Sequence, residues 1–546
     1  MNEFWQRIIV SKKFDLTGAQ QLNRMVNADT LVHSNVREIG AENITYQTWE
    51  KLELSGFLLT KGWTAEQVQL AATQVISRAV YPASELKTSR WIKENSAVCE
   101  LTGYEEEKIT KDKLYQSALH LYELKDDLEK HLSTRTNELF DLTDKIILYD
   151  LTITYFEGTK RTSSLAKFGR SKEKRSDAKL IVLALVINME GFIKYSSILE
   201  GNTADNQTLP AMIEKLARHT CSNKAVVVLD AGIATEENLA LIAAKGYSYL
   251  CVSRSKLKQY KAIQDRLTVL LETKSKQTIR LRSVTTEKNT DYYLEVKSNA
   301  KEKKEEAMLL QFETRFEEEL KKIEHSIHHK GGIKKADKVH QRIGRAQEKY
   351  PSVQQGYTIK VTTDDTLKTA TGLAWDKNKK HRTHLEELGI YFLRTNMNIQ
   401  DEAIVWNIYN TIREIESTFR TLKTDLDLRP IYHKNDNATM AHLHLGLLAY
   451  WLVNTIRYQL KQNNINHCWS EIVRLANTQK VITTSGTNTY DKIITIRKCS
   501  LPNQQLDAIY QVLKTKNQPF VKRKSVIHKL ELKKNEQVHL PPFADG

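Results

Sequence analysis

The sequence predicts an α/β protein whose core is interrupted by a long insertion and preceded by a helical region. Three observations predict it. Three strand-like apolar runs follow one another from Asp144 onward, IILYDLT, LIVLALVIN and FIKYSSILE, with no helical stretch between them. Strand and helix patterns then alternate through AVVVLD and YSYLCVS as far as Arg254. The order breaks off there and resumes only at YFLRTN, just before a strongly amphipathic helix around Glu416. Runs of β-branched and aliphatic residues are the signature of buried strands, and a 3.6-residue recurrence is that of a helix.

Residues 1–140 form a mostly helical amino-terminal region. Thr64 followed by Gln67 is a capping box that opens a helix running toward Arg78. Pro82 and Ser84 break the chain and restart it into ELKTSRWIKENSA, a second helix carrying Lys87, Arg90 and Lys93. Two short helices across a tight turn suit a helix-turn-helix-like module that binds DNA, and a bundle with a solvated basic face shares that pattern. Lys111 to His131 supplies a third helical stretch.

Residues 141–254 are the first part of the core, with helices expected near Leu209–Arg218 and Glu236–Lys245. Residues 255–390 are the insertion, β-rich, with strand-like TIRLRSVT, DYYLEVKS and YTIKVTT around one charged helical stretch from about Glu305 to Glu348. Trp375 lies in it, either as a core residue or as an aromatic platform for an unpaired base. Residues 391–465 return to the core, and residues 466–546 form a basic carboxyl-terminal region.

The chain has 546 residues and a formal net charge of +16, from 82 Lys plus Arg against 66 Asp plus Glu. That length holds several cores, and that charge suits a polyanionic partner. Five cysteines, Cys99, Cys221, Cys251, Cys468 and Cys499, are odd in number and lack metal-ligand spacing, so reduced thiols in the cytoplasm are expected. The most apolar segment, Leu443 to Val453, is too short to span a bilayer and reads as a buried helix; no membrane association is expected.

Three carboxylates carry the chemistry. Asp150 closes KIILYD and Asp230 closes KAVVVLD, each at the expected end of a strand, where a side chain faces the crevice. A lone Asp after a strand is equally a helix cap or a turn former. The third, Glu416, shares a helical face with Tyr409, Ile412, Arg420 and Lys423, while Ile408, Ile415, Phe419 and Leu422 form an apolar stripe beside it. A salt-bridged solvated helix has the same spacing. Asp, Asp and Glu brought together by folding offer hard oxygen ligands for two Mg²⁺ ions, with Mn²⁺ able to substitute. Two such ions activate an attacking oxygen and stabilise the leaving oxygen of a phosphodiester.

With these residues in place, the chain resembles the DDE transposases of bacterial insertion sequences, in the branch marked by Tyr-x2-Arg-x3-Glu-x6-Lys. Tyr409, Glu416 and Lys423 match that spacing, while Ile412 stands where Arg is expected and Arg413 follows it. ILYDLTITYFEG, GRSKEKR, VVLDAGIATEENL, DLRPIYH and RAVYPASELKTSRW (Arg78 to Trp91) are similar to segments of the same family. The resemblance implies a ribonuclease H-like catalytic domain, with Asp150, Asp230 and Glu416 binding the two metal ions. It implies that Tyr409, Arg413, Arg420 and Lys423 meet DNA phosphates near the scissile bond, joined by Arg170, Lys172 and Arg175 and by Arg429 and His433. It also implies a homodimer in a synaptic complex with double-stranded DNA, both transposon ends and target, and nucleoid-associated work in the bacterial cytoplasm. The long gap between Asp230 and Glu416 (416−230=186) against that between Asp150 and Asp230 (230−150=80) fits an insertion before the last acid.

Two rival readings use the same residues. A nuclease on this fold would cut without joining ends, and a DNA-binding protein descended from a transposase would show no metal dependence. His433, His442 and His444 resemble a metal cluster in spacing, but histidines at the start of a buried helix are expected to satisfy backbone groups instead.

Overall fold

The computed structural model describes residues 26–528 apart from 159, 162, 170–176, 220–224, 255, 258, 264–265, 274–275, 287–290, 366, 489 and 521–522. The chain divides into two units, residues 1–222 with 413–546, and residues 223–412. The divisions fall at 222/223 and 412/413, whereas the sequence reading placed the insertion at 255–390.

In the first unit the expected helices form. Ala65–Val80 opens on the Thr64 capping box, in which the Thr64 amide donates to Gln67 Oε1 at 2.9 Å and the Gln67 amide returns to Thr64 Oγ1 at 3.3 Å. Glu85–Glu94 is capped by Ser84, and Lys111–Glu123 by Thr110. Ala65–Val80, Lys111–Glu123 and Gly40–Lys51 pack on one long helix, Asp436–Gln462, and Glu85–Glu94 packs on Lys111–Glu123. Every residue of that helix from Ala441 to Ile456 is buried, which is why its sequence shows no polar face. The Leu443–Val453 run is therefore the axis of the amino-terminal bundle. Among the described residues no helix is long and apolar enough to cross a membrane.

Three antiparallel strands, Ile146–Tyr155, Leu180–Asn188 and Ile193–Glu200, complete this unit's core. The middle strand is buried at all nine positions, as its unbroken apolar run requires. A second sheet was not expected. Val32–Glu38 pairs antiparallel with Lys480–Thr487, which pairs with Lys492–Cys499 and then Arg523–His528. The amino-terminal region is thus not purely helical, and the carboxyl-terminal region holds an ordered β-meander.

The second unit starts with a parallel pair, Val226–Leu229 and Ser248–Val252, joined by the Glu236–Ala244 helix. Ile390–Thr395 pairs antiparallel with Ser248–Val252 on one side and Tyr292–Ser298 on the other, and Thr278–Thr285 follows. TIRLRSVT and DYYLEVKS therefore extend this sheet rather than form a separate β-domain. YTIKVTT pairs with Ala370–Lys377 as a hairpin.

The single charged helix expected between Glu305 and Glu348 is two helices, Asn299–His328 and Ala336–Lys349. Leu309, Phe316, Leu320, Ile323 and Ile327 recur at helical spacing and are buried, which holds the first helix down despite its charge. Gly331 takes φ +84 and a Cβ on Gly332 would stand 1.9 Å from the Ser326 carbonyl oxygen, so the break needs both glycines.

Candidate active site

Asp150 does not end its strand. Ile146–Tyr155 is continuous, and Asp150 sits in its middle, opposite Leu185, with Oδ1 accepting from the Leu151 amide at 2.7 Å. Strand alternation separates it from Tyr149, whose hydroxyl donates to Thr208 Oγ1 at 2.6 Å. Asp150 is half-buried.

Asp230 does follow its strand directly and is exposed. Its Oδ1 accepts from the Ala231 amide at 2.7 Å and its carbonyl from Ile233 and Ala234, which turns the chain toward the next helix. That helix is capped by Thr235, so Asp230 is not its N-cap. Asp150 and Glu416 belong to the first unit and Asp230 to the second.

The helix carrying the signature is not one continuous helix. Glu402–Asn410 opens on Asp401, whose Oδ1 accepts from the Ala403 and Ile404 amides, and Thr411 interrupts it. Ile412–Arg420 then carries Glu416, and Thr421–Asp425 winds into a π-turn that contains Lys423. Tyr409 and Lys423 thus do not share a regular α-face with Glu416, and π-segments of this kind recur at functional sites. The burial pattern is amphipathic as expected: Ile415, Phe419 and Leu422 are buried, while Arg413, Glu416 and Arg420 are exposed. Thr418 anchors the buried side, its Oγ1 lying 2.8 Å from the Tyr450 hydroxyl, which also donates to the Gly191 carbonyl. Arg457 Nη1 donates to Thr421 Oγ1 at 2.9 Å and pins the π-turn.

Arg170, Lys172 and Arg175 lie outside the described residues. Arg429 and His433 are half-buried. Trp375 is half-buried and packs against both apolar clusters of the second unit, around Phe316 and around Ile323. That packing accounts for Trp375 as a core residue.

His433 joins a group that sequence reasoning did not assemble. Its ring lies 4.7 Å from that of His442, and each ring together with Glu85 offers one ligand atom, all within 4.8 Å of one another. His444 is not part of it and instead meets Tyr122 edge-on. The expectation that these histidines satisfy backbone groups fails: the ring nitrogens of His442 and His444 are buried without hydrogen-bond partners. Burial pushes His433 down to about 4 and His444 to about 3, and lowers His442. Although its burial acts the other way, the neighbouring imidazoles of His442 and His433 bring Glu85 down to about 2. Glu85 lies in RAVYPASELK and His433 ends DLRPIYH, and no spacing or motif in the sequence pairs segments so far apart in the chain.

The family follows from comparison with known proteins. Residues 142–452 match the transposase DDE domain family. The chain belongs to that family. It is also similar in structure to a piggyBac transposase, determined by cryo-EM as a synaptic complex with hairpin DNA. The identity is 8%, the coverage 93% of this chain and 87% of that one, and the TM-score 0.36. No curated protein matches the chain.

Proposed function

We propose that the chain is a transposase that binds the terminal inverted repeats of an insertion sequence, hydrolyses a phosphodiester there, and directs the freed 3′-OH at target DNA. One observation carries the reading: the family match spans Asp150, Asp230 and Glu416 in order, with the signature residues around the last. The fold class proposed for the core is ribonuclease H-like, supported by three antiparallel strands followed by a strand–helix–strand unit.

The three acids fit a hard divalent cation. They are carboxylates only, one half-buried on a strand and two exposed, and hard cations with retained waters favour such oxygen donors. Two Mg²⁺ ions, when bound, would supply an activated oxygen nucleophile and neutralise charge on the leaving oxygen. Asp150, rigid within its strand, sets the position of one carboxylate, and the turn after Asp230 sets another. Glu416 stands on a helix held through Thr418 and Tyr450. Exposed Arg413 and Arg420 flank it and would pair with phosphates on either side of the scissile bond. The proposed working form is a homodimer holding two transposon ends, on nucleoid DNA in the cytoplasm.

The test is incubation of purified protein with labelled DNA carrying the element's own end, with Mg²⁺ or with EDTA, beside Glu416→Ala. Metal-dependent cleavage lost in the variant supports the reading; cleavage retained in the variant overturns it.

A further inference from the structure

We propose that Glu85, His433 and His442 form a zinc(II) site that ties three separate stretches of the first unit together, apart from the three-acid site. Glu85 begins the Glu85–Glu94 helix, His433 follows the strand-like bridge at Ile431, and His442 lies on the long Asp436–Gln462 helix.

The cluster is built. Glu85 is 4% exposed and His442 8%. Glu85 Oε2 and both His442 ring nitrogens are buried with no hydrogen-bond partner, a rare condition that calls for an occupant. Glu85 Oε1 stands 4.0 Å from His442 Nδ1, too far for a hydrogen bond. A tetrahedral zinc with bonds of about 2.0–2.1 Å places its ligand atoms roughly 3.4 Å apart, so small side-chain shifts close the site.

The surrounding backbone is held as a ligand scaffold would be. The Arg78 guanidinium donates to the carbonyls of Ala83, Leu426 and Asp427, joining the segment before Glu85 to the one before His433. Lys160 Nζ donates to the Tyr432 carbonyl at 2.9 Å and to that of His433. These two cations are committed to carbonyl oxygens. A cavity of about 1010 Å³, rimmed by Lys87, Lys111 and Lys434, opens onto the cluster and gives access to the fourth ligand position.

Two imidazoles and one carboxylate select a borderline ion such as Zn²⁺ over Mg²⁺, which disfavours nitrogen. The occupant differs in kind from the ion proposed at the acids. The cluster lies wholly within one unit and does not depend on the proposed reaction.

The full chain, purified without chelator, is assayed by elemental analysis and by zinc titration against a chromophoric chelator, with thermal unfolding followed in zinc and in EDTA. About one zinc per chain is expected, with a melting temperature that falls in EDTA. His433→Ala should weaken zinc at least about tenfold and abolish the EDTA effect, as should Glu85→Gln. Asp230→Ala should keep both. His433 is half-buried, so its variant decides the matter if Glu85→Gln or a His442 variant fails to fold. Absence of zinc with no zinc-dependent melting shift in the wild type overturns the proposal. Zinc that is retained at full affinity in His433→Ala also overturns it, because the ion is then held elsewhere.

Discussion

Lys194 Nζ lies 3.0 Å from Asp144 Oδ1, with Lys194 1% exposed and Asp144 8%. The pair closes a ring through Asn137, whose Oδ1 accepts from Lys194 at 2.7 Å and whose Nδ2 donates to Asp144 at 2.9 Å. It joins the strand at Lys194 to the end of the helical bundle just before the strand that carries Asp150. Lys194→Met leaves Asp144 buried without its cation, and the expected loss of stability is about 3–5 kcal/mol by urea unfolding. A loss below about 1 kcal/mol would mean the pair is not what holds this junction.

Glu42 gives the fold a pH dependence. It is fully buried, with Oε1 accepting from Ser96 Oγ at 2.7 Å and Oε2 unpartnered, and burial raises it to about 7. The folded chain then holds a proton that the unfolded chain releases near pH 4.5, so stability falls as pH rises from about 4.5 to about 7 and is flat above. The contribution is of order 3 kcal/mol. Glu42→Gln keeps the acceptor for Ser96 and should flatten that slope, making the variant more stable than wild type at pH 8. Parallel slopes in the two proteins would count against it.

Gly332→Ala should destabilise the helical hairpin of the second unit by about 1–3 kcal/mol, because the new Cβ would meet the Ser326 carbonyl oxygen. Limited proteolysis between His328 and Ala336 is the direct readout. Gly344→Ala, with nothing within 4 Å of the added Cβ, should leave cutting there unchanged or reduced.

Trp375→Ala removes a half-buried ring that two apolar clusters share, and the expected cost is about 2 kcal/mol. If Trp375 served only to hold a base, stability would not change and binding to DNA with unpaired bases would fall.

Asp150→Asn and Asp230→Asn should each lower cleavage of end DNA by several orders of magnitude while leaving its binding within a few-fold, since groups acting as a unit fail together. Gel-shift and cleavage assays on the same preparations separate the two effects. Parallel loss of binding and cleavage would assign these acids to folding instead.

Much of this was legible in the sequence where local chemistry decides structure. The Thr64 cap, the Ser84 restart and the unbroken LIVLALVIN strand follow from side-chain hydrogen bonding and burial alone. The break at Thr411 and the π-turn after Arg420 were not legible, because the amphipathic period runs through both. Asp150 was placed at a strand end because polar residues usually terminate apolar runs, whereas here LTITY continues the strand past it. The pairing of Val32–Glu38 with Lys480–Thr487 was invisible for another reason: its partners lie at opposite ends of the chain, and neither carries a strong apolar alternation. Glu85 and His442 were missed as a pair because only folding makes them neighbours.

The helix from Asp436 to Gln462 imposes an order on the protein's birth. The bundle helices between Gly40 and Glu123 leave the ribosome with their apolar faces lacking the axis on which they pack. At roughly 5–20 residues per second, more than 300 residues of further translation keep those faces waiting for tens of seconds. A message cut short before that helix would yield a product with no centre for its amino-terminal half, fit only for proteolysis.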